Sequence, residues 1–296
     1  MSNRILVIAE IGECWNGDIA QARRLIEIAA HAGCDYAKFQ TLDREGVATN
    51  DPERDWFLSI ALDEDQLTIL RDHANAAGIG FLVTPENRSQ AEMIAAIGCP
   101  HVKIASSCLR DDELLEFVSR RFDRVFLSTG MAELPEVDAA VGRLAAVREL
   151  YVLHCISEYP TGPLLAARGL TALRDEDAHL EMMNILAERY PDTHVGYSDH
   201  TVGLMAPIVA AAAGARVIEK HITLDRATPL RNLANGGTYL GTDHVLSLEP
   251  SELIDMVRRI RSVERILGAR EWNRTAGEIL LRDFLRNRFH HNQSAG

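Results

Sequence analysis

Residues 217–225 read VIEKHITLD. Val217, Ile218, Ile222 and Leu224 are strand formers, yet Glu219, Lys220 and His221 interrupt them with three ionisable groups. Side chains along a strand alternate between faces. Val217, Glu219 and His221 therefore share one face, and Ile218, Lys220 and Ile222 share the other. Seven short apolar runs precede this one: ILVIAE (5–10), DYAKFQT (35–41), GFLVTP (80–85), HVKIAS (101–106), VFLSTG (125–130), LYVLHC (150–155) and HVGYSD (194–199). Amphipathic segments lie between most of them, and several end in Gly, which suits a helix C-cap. Eight β-α units in series predict a parallel sheet, and eight close a (β/α)8 TIM barrel. In that fold the Val217 face points inward, with Glu219 and His221 near the mouth. Lys220 then lies under the helices, snorkelling or paired. An open doubly wound sheet is the rival, but no GxGxxG follows the first run.

The chain has 296 residues, 47% hydrophobic and 25% charged, which suits one large globular domain with an appendix. Residues 1–270 are assigned to the barrel and 271–296 to a C-terminal helix and flexible tail. A formal net charge of −12 argues against nucleic acid and anionic membranes as partners, though not against an anionic small substrate. Five cysteines without CxxC spacing argue against a disulfide framework or a structural zinc site. The first apolar run ends in Glu10, as a strand would rather than a signal peptide, so the expected location is cytoplasmic.

In a barrel the C-terminal ends of the strands converge on one mouth, where active sites sit. Those ends carry Glu10; Lys38 and Gln40; Thr84; Lys103 and Ser106; Ser128 and Thr129; His154; Ser198, Asp199 and His200; and Glu219 and His221. His200 and His221 end neighbouring strands, so their imidazoles can form a half-shell for a divalent metal such as Mn²⁺, Fe²⁺, Co²⁺ or Zn²⁺. Asp199, Glu10 or Asp243 are candidates to complete or orient it. Lys38 and Lys103, with the hydroxyls of Thr84, Ser106, Ser128 and Ser198, make a cradle for phosphate or carboxylate. The competing reading pairs both lysines with Glu10 and Glu219 in a buried ionic network.

These residues resemble the sialic acid synthase (N-acetylneuraminate synthase) family, with its legionaminate, pseudaminate and spore-coat polysaccharide relatives. The resemblance rests on IAEIG…NGD, AGCDYAKFQT, TPEN, VKIASS, LSTGMAELPEV, LHCISEYPT, VGYSDHTVG, GARVIEKHITLD and GTDHVLSLEP, in family order over about residues 4–255. It implies condensation of phosphoenolpyruvate with an N-acetylmannosamine-like aldose to a nonulosonic acid and phosphate, with a divalent metal, commonly Mn²⁺. It also implies roles. His200 and His221 become metal ligands, and Lys38, Thr84, Lys103, Ser106, Ser128 and Ser198 bind phosphoenolpyruvate. Glu10 and Glu219 stand beside the reacting carbons, and Gln40, Tyr159 and Asp243 contact the sugar. A homodimer is implied as well.

Three departures bear on the substrate. Cys108 stands where the family carries a sugar-contacting Glu. The family's NHNGD reads Cys14-Trp15-Asn16-Gly17-Asp18. The C-terminal antifreeze-like domain of typical members is not expected after residue 270. A non-catalytic binding relative, or a synthase for a different aldose or a sugar phosphate, stays open as an alternative.

Overall fold

The computed structural model describes residues 4–51, 54–158, 173–227, 231–232, 238–239, 242–269 and 271–288. Eight parallel strands form the centre: β1 (Leu6–Glu10), β2 (Tyr36–Thr41), β3 (Gly80–Pro85), β4 (His101–Ile104), β5 (Arg124–Ser128), β6 (Glu149–Cys155), β7 (His194–Asp199) and β8 (Val217–His221). Hydrogen-bonded neighbours run β3-β2-β1-β8-β7-β6-β5-β4, so β8 returns beside β1 and curls the sheet round. β3 and β4 lie against each other and complete a nearly closed (β/α)8 barrel, as VIEKHITLD and its seven companions predict.

The outer layer comprises α1 (Ile19–Ala32), α2 (Arg54–Ser59), α3 (Glu64–Ala76), α4 (Arg88–Ala96), α5 (Asp112–Arg121), α6 (Leu134–Arg143), α7 (Met182–Arg189), α8 (Met205–Ala212) and α10 (Pro250–Leu267). Local chemistry sets their ends. Asp18 caps α1 through the Ala20 N–H, and Gly33 closes it at φ 83°. Asp63 and Gln66 form a capping box on α3. The connection after β8 holds two short strands, β9 (Arg231–Asn232) and β10 (Thr238–Tyr239), and helix α9 (Thr242–Leu246). The final helix α11 (Ala276–Asn287) buries no residue.

Two apolar cores result. The larger fills the space between sheet and helices. The smaller plugs the lower barrel with Ile8, Tyr36, Leu82, Phe126, Tyr151, Leu153 and Val217. Gly196 is required at this level, because a Cβ there would stand 2.3 Å from Val217 Cγ1 on the next strand. All five cysteines are free and buried. Among the described residues no helix is long and apolar enough to cross a membrane.

Lys220 resolves as paired rather than snorkelling. It is wholly buried between sheet and helices, and its Nζ donates to Asp199 Oδ2 at 2.5 Å and to the Thr201 carbonyl. Asp199 also accepts from Tyr197 Oη and from the Thr201 N–H and hydroxyl. Removing one partner of such a pair strands the other charge in a dry interior. Lys220→Met should lower unfolding free energy by about 3–5 kcal/mol, read as a shift of the urea midpoint at unchanged slope.

Candidate active site

Above the apolar plug the inward side chains turn polar. The register pairs Glu10 with Lys38 on one side and with His221 on the other, and Ser198 with Glu219. Lys38, Ser198, Glu219 and His221 line a cavity of about 200 Å³ at the C-terminal mouth, and Glu10 lies against Lys38. Lys38 Nζ lies 2.7 Å from Glu10 Oε2 and 3.3 Å from Glu219 Oε1, and donates to Thr84 Oγ1 at 3.1 Å. Lys103 Nζ stands 3.7 Å from Glu219 Oε1. Ser198 Oγ donates to that same oxygen at 2.9 Å. All four charged groups are nearly excluded from solvent.

Burial pulls the Lys38 ammonium down to about 8, against the opposing pull of Glu219. Burial alone would raise the Glu219 carboxyl. The ammonium groups of Lys103 and Lys38 outweigh it and hold that carboxyl well below the usual carboxylate range. The ionic network of the competing sequence reading is thus present. It does not saturate the site: Glu10 Oε1, Glu219 Oε2 and Ser128 Oγ are buried without a hydrogen-bond partner among the described residues. The 2.7 Å Glu10–Lys38 contact is an ion pair outside hydrogen-bonding angles. Buried polar atoms left in this state mark a place where a ligand or water completes the bonding.

His200 and His221 come together as predicted, with ring centroids 5.5 Å apart. His200 Nδ1 meets the Ile156 carbonyl at 2.8 Å, and His221 Nδ1 lies 3.4 Å from Asp243 Oδ2. Anchoring Nδ1 on a carbonyl or carboxylate is how proteins aim Nε2 of an imidazole at a metal. Among the described residues no three His, Cys, Asp or Glu side chains form a ready-made cage. His200 and His221 are the two imidazoles here that could hold a divalent ion.

The other predicted residues divide. Gln40, Thr84, Ser106, Ser128 and Ser198 line the cavity with the two lysines. Ser106 Oγ also accepts from the Gly130 N–H, tying the β4 exit to the β5 exit. Asp243 sits behind His221 rather than on the cavity wall. Gly12, at φ 49°, makes room for it, since a Cβ there would lie 2.5 Å from Asp243 Oδ2. Tyr159 lies outside the described residues.

Three strand-end expectations need correction. Asp199 faces outward and holds Lys220, so it neither completes nor orients a metal shell. His154 also faces outward, bonded to the Ala178 carbonyl and stacked on Tyr197. Thr129 Oγ1 is taken by the Leu153 carbonyl.

Cys155, not His154, is the inward residue ending β6; it pairs in register with Ser198 and its Sγ lies 3.7 Å from His200 Nδ1. Strict alternation from Tyr151 and Leu153 would have found it. Ser107, Met131 and Ser157 also line the cavity from loops, where alternation gives no signal. Burial, and next the carboxylate of Glu86, push the Cys108 thiol up to about 12, so it is a donor and not a nucleophile.

A sequence profile described as the NeuB family matches residues 25–271. An uncharacterized protein of Methanocaldococcus jannaschii is 38% identical over 90% of this chain and 72% of its own length. N,N'-diacetyllegionaminic acid synthase of Legionella pneumophila is 30% identical over 95% of this chain and 78% of its own. Among solved structures, N-acetylneuraminic acid (sialic acid) synthetase of Leptospira borgpetersenii, in complex with citrate, superposes with a TM-score of 0.82 at 28% identity, covering 96% of this chain and 92% of that one.

An anion that binds only the native cradle stabilises it by mass action, about 2.7 kcal/mol at roughly 100 times its Kd. Inorganic phosphate should therefore raise the melting temperature of the wild type. Lys103→Ala should lose most of that rise, as differential scanning calorimetry would show.

Proposed function

The chain belongs to the NeuB family, and from that premise we propose that it condenses phosphoenolpyruvate with an N-acetylmannosamine-like aldose, giving a nonulosonic acid and phosphate. The observation that carries this reading is the buried Glu10–Lys38–Glu219–Lys103 cluster under the cavity, beside the paired imidazoles. One substrate is a small phosphorylated carboxylate, and two lysines with surrounding hydroxyls are its natural counterpart. The names of the relatives favour this product class: N,N'-diacetyllegionaminic acid synthase in Legionella pneumophila and Campylobacter jejuni, and pseudaminic acid synthase in Helicobacter pylori.

The chemistry follows from the groups at hand. The enol carbon C3 of phosphoenolpyruvate bonds to the aldehyde carbon, whose oxygen takes a proton and becomes a hydroxyl. Positive charge develops at C2, and a carboxylate nearby offsets it. Water adds at C2 and gives up its proton to a second carboxylate, which supplies the proton the aldehyde oxygen needs. The C2–O bond to phosphate then breaks, the new C2 hydroxyl loses its proton to the departing phosphate, and a keto group remains.

Glu10 suits the base, since Oε1 is buried without a hydrogen-bond partner among the described residues. Glu219 stays ionised between Lys38, Lys103 and Ser198, which fits it to offset charge rather than carry protons. Lys38 and Lys103 hold the phosphate as it leaves. His200 and His221 would hold a divalent ion, Mn²⁺ in this reading, whose contribution when bound is to polarise the aldehyde oxygen.

The decisive assay is phosphate release from phosphoenolpyruvate with Mn²⁺ and a panel of 2-acetamido and 2,4-diacetamido aldoses, phosphorylated and not. Release with one aldose establishes the reaction and names the substrate. Phosphoenolpyruvate that binds in a metal-dependent way but is never turned over with any aldose would favour the non-catalytic relative. His221→Ala should abolish metal-dependent turnover while leaving the circular dichroism spectrum unchanged.

The pH dependence has a definite sign. In the free protein Lys38 loses its proton near pH 8, whereas an unfolded lysine keeps it to about 10.4. The unfolded state binds more protons across that window, so the free protein gains stability from this group as pH rises. Anion affinity moves the other way. The KM for phosphoenolpyruvate should climb as pH passes through about 8, and steady-state kinetics between pH 7 and 9.5 read the change.

A further inference from the structure

Glu86 is a carboxylate at the mouth of the barrel that none of the steps above uses. It follows Pro85, the last residue of β3, and by alternation faces the same way as Thr84 one level further out. Its side chain is only partly exposed. Its donors are weak: Cys108 Sγ lies 3.3 Å from Oε2 and Ser107 Oγ 3.5 Å from the same oxygen. Ser107 itself lines the central cavity. The two site lysines act on Glu86 through space, but their ion pairs go to Glu10 and Glu219. Burial raises the Glu86 carboxyl above its ordinary range, and these partners do not fully offset it.

The backbone around Glu86 is held firmly. Asn87 caps α4 by accepting from the Gln90 N–H, and its Nδ2 donates to Asp43 at 3.0 Å. Asp43 in turn accepts from the Glu45 and Gly46 N–H groups. Gly46 packs so close that a Cβ there would stand 3.2 Å from Glu86 Cβ. A carboxylate held in this way, in contact with a residue that lines the central cavity and short of strong donors, is poised to accept hydrogen bonds. Phosphoenolpyruvate is anionic and Glu86 repels it. A neutral polyol supplies O–H and N–H donors and suffers no such repulsion.

We propose that Glu86 is a specificity-determining residue of this site, its carboxylate accepting hydrogen bonds from hydroxyl or amide groups of the aldose above the phosphoenolpyruvate cradle. The proposal rests on the synthase reading. Cys108 and Ser107 are then supporting donors that aim the carboxylate. The geometry also accounts for Cys108 itself: a protonated thiol beside Glu86 is compatible with a carboxylate there, whereas a second Glu at 108 would put two like charges in contact.

The test is steady-state kinetics of Glu86→Ala and Glu86→Gln with the aldose that the panel identifies. Losing a hydrogen bond to a charged group should raise the aldose KM on the order of 10- to 100-fold. The phosphoenolpyruvate KM should stay near that of the wild type, and Glu86→Gln should fall between. Unchanged melting temperatures would show that both variants fold. An aldose KM within about twofold of wild type, or equal rises in both KM values, overturns the proposal.

A wild type inert with every aldose overturns the synthase reading instead. Glu86 is then judged by calorimetric binding of N-acetylmannosamine to the phosphoenolpyruvate-loaded protein. Binding that weakens in Glu86→Ala supports it. Binding equal in both, or absent from both, rejects it.

Discussion

The site depends on the way β7 and β8 share their residues between two faces. In register, Ser198 stands beside Glu219, and Asp199 beside Lys220. The first pair points into the barrel and the second under the helices. The outer pair is a buried ion pair with full hydrogen bonding, and it fixes the strands against each other and against the Thr201 backbone. The inner pair thereby holds its position without having to satisfy all its own bonds. A carboxylate such as Glu219 can keep Oε2 open for a ligand because its strand is held from behind. The same alternation sets His221 inward, and the turn after Asp199 brings His200 to meet it. What looks in sequence like three charges spoiling a strand is one brace between two functional groups.

The barrel was legible because its signal is redundant. Eight apolar runs alternating with amphipathic segments constrain topology even when each boundary is a residue or two off. The inner cluster was legible for the same reason: Lys38, Lys103, Glu219 and His221 sit at strand positions where parity leaves no choice. Legibility failed where parity was set aside for chemical type. His154 and Asp199 end their strands with functional groups, yet their parity is outward, and the inward residue ending β6 is Cys155. Glu86 was invisible for another reason. Its role follows from what lies near it across two loops, and no local pattern encodes the 3.3 Å contact with Cys108.

A net charge of −12 gives the chain a repulsive long-range field toward anions. Inside the barrel the local field is set by nearer groups. Lys38 and Lys103 line the cavity together with several serine and threonine hydroxyls, and Glu10 and Glu219 are already engaged with them. At the distances involved, interactions inside the barrel outweigh the diffuse field of screened surface charges. Net charge therefore says nothing about the groups inside the barrel.

The apolar plug makes that local dominance possible. Tyr36, Phe126 and Tyr151 pack edge to face and tilted across the lower barrel, with ring centroids 5.6 and 4.9 Å apart. Below them Arg124 ties Tyr36 to Glu149 and closes the base. The plug keeps water from reaching the lysine–glutamate cluster from beneath, so the mouth is the route by which solvent or ligand meets it. In such surroundings each charge is felt more strongly by its neighbours, which is why Lys103 and Lys38 hold Glu219 ionised, while burial itself pulls the Lys38 ammonium down. A polar residue in place of Phe126 or Leu153 would leave the lysine–glutamate cluster itself untouched and still weaken the coupling between its charges, by raising the effective dielectric beneath them. The division of the barrel into a dry lower half and a polar upper end, seen on β8 as Val217 below Glu219 and His221, is thus what couples the charges at its mouth.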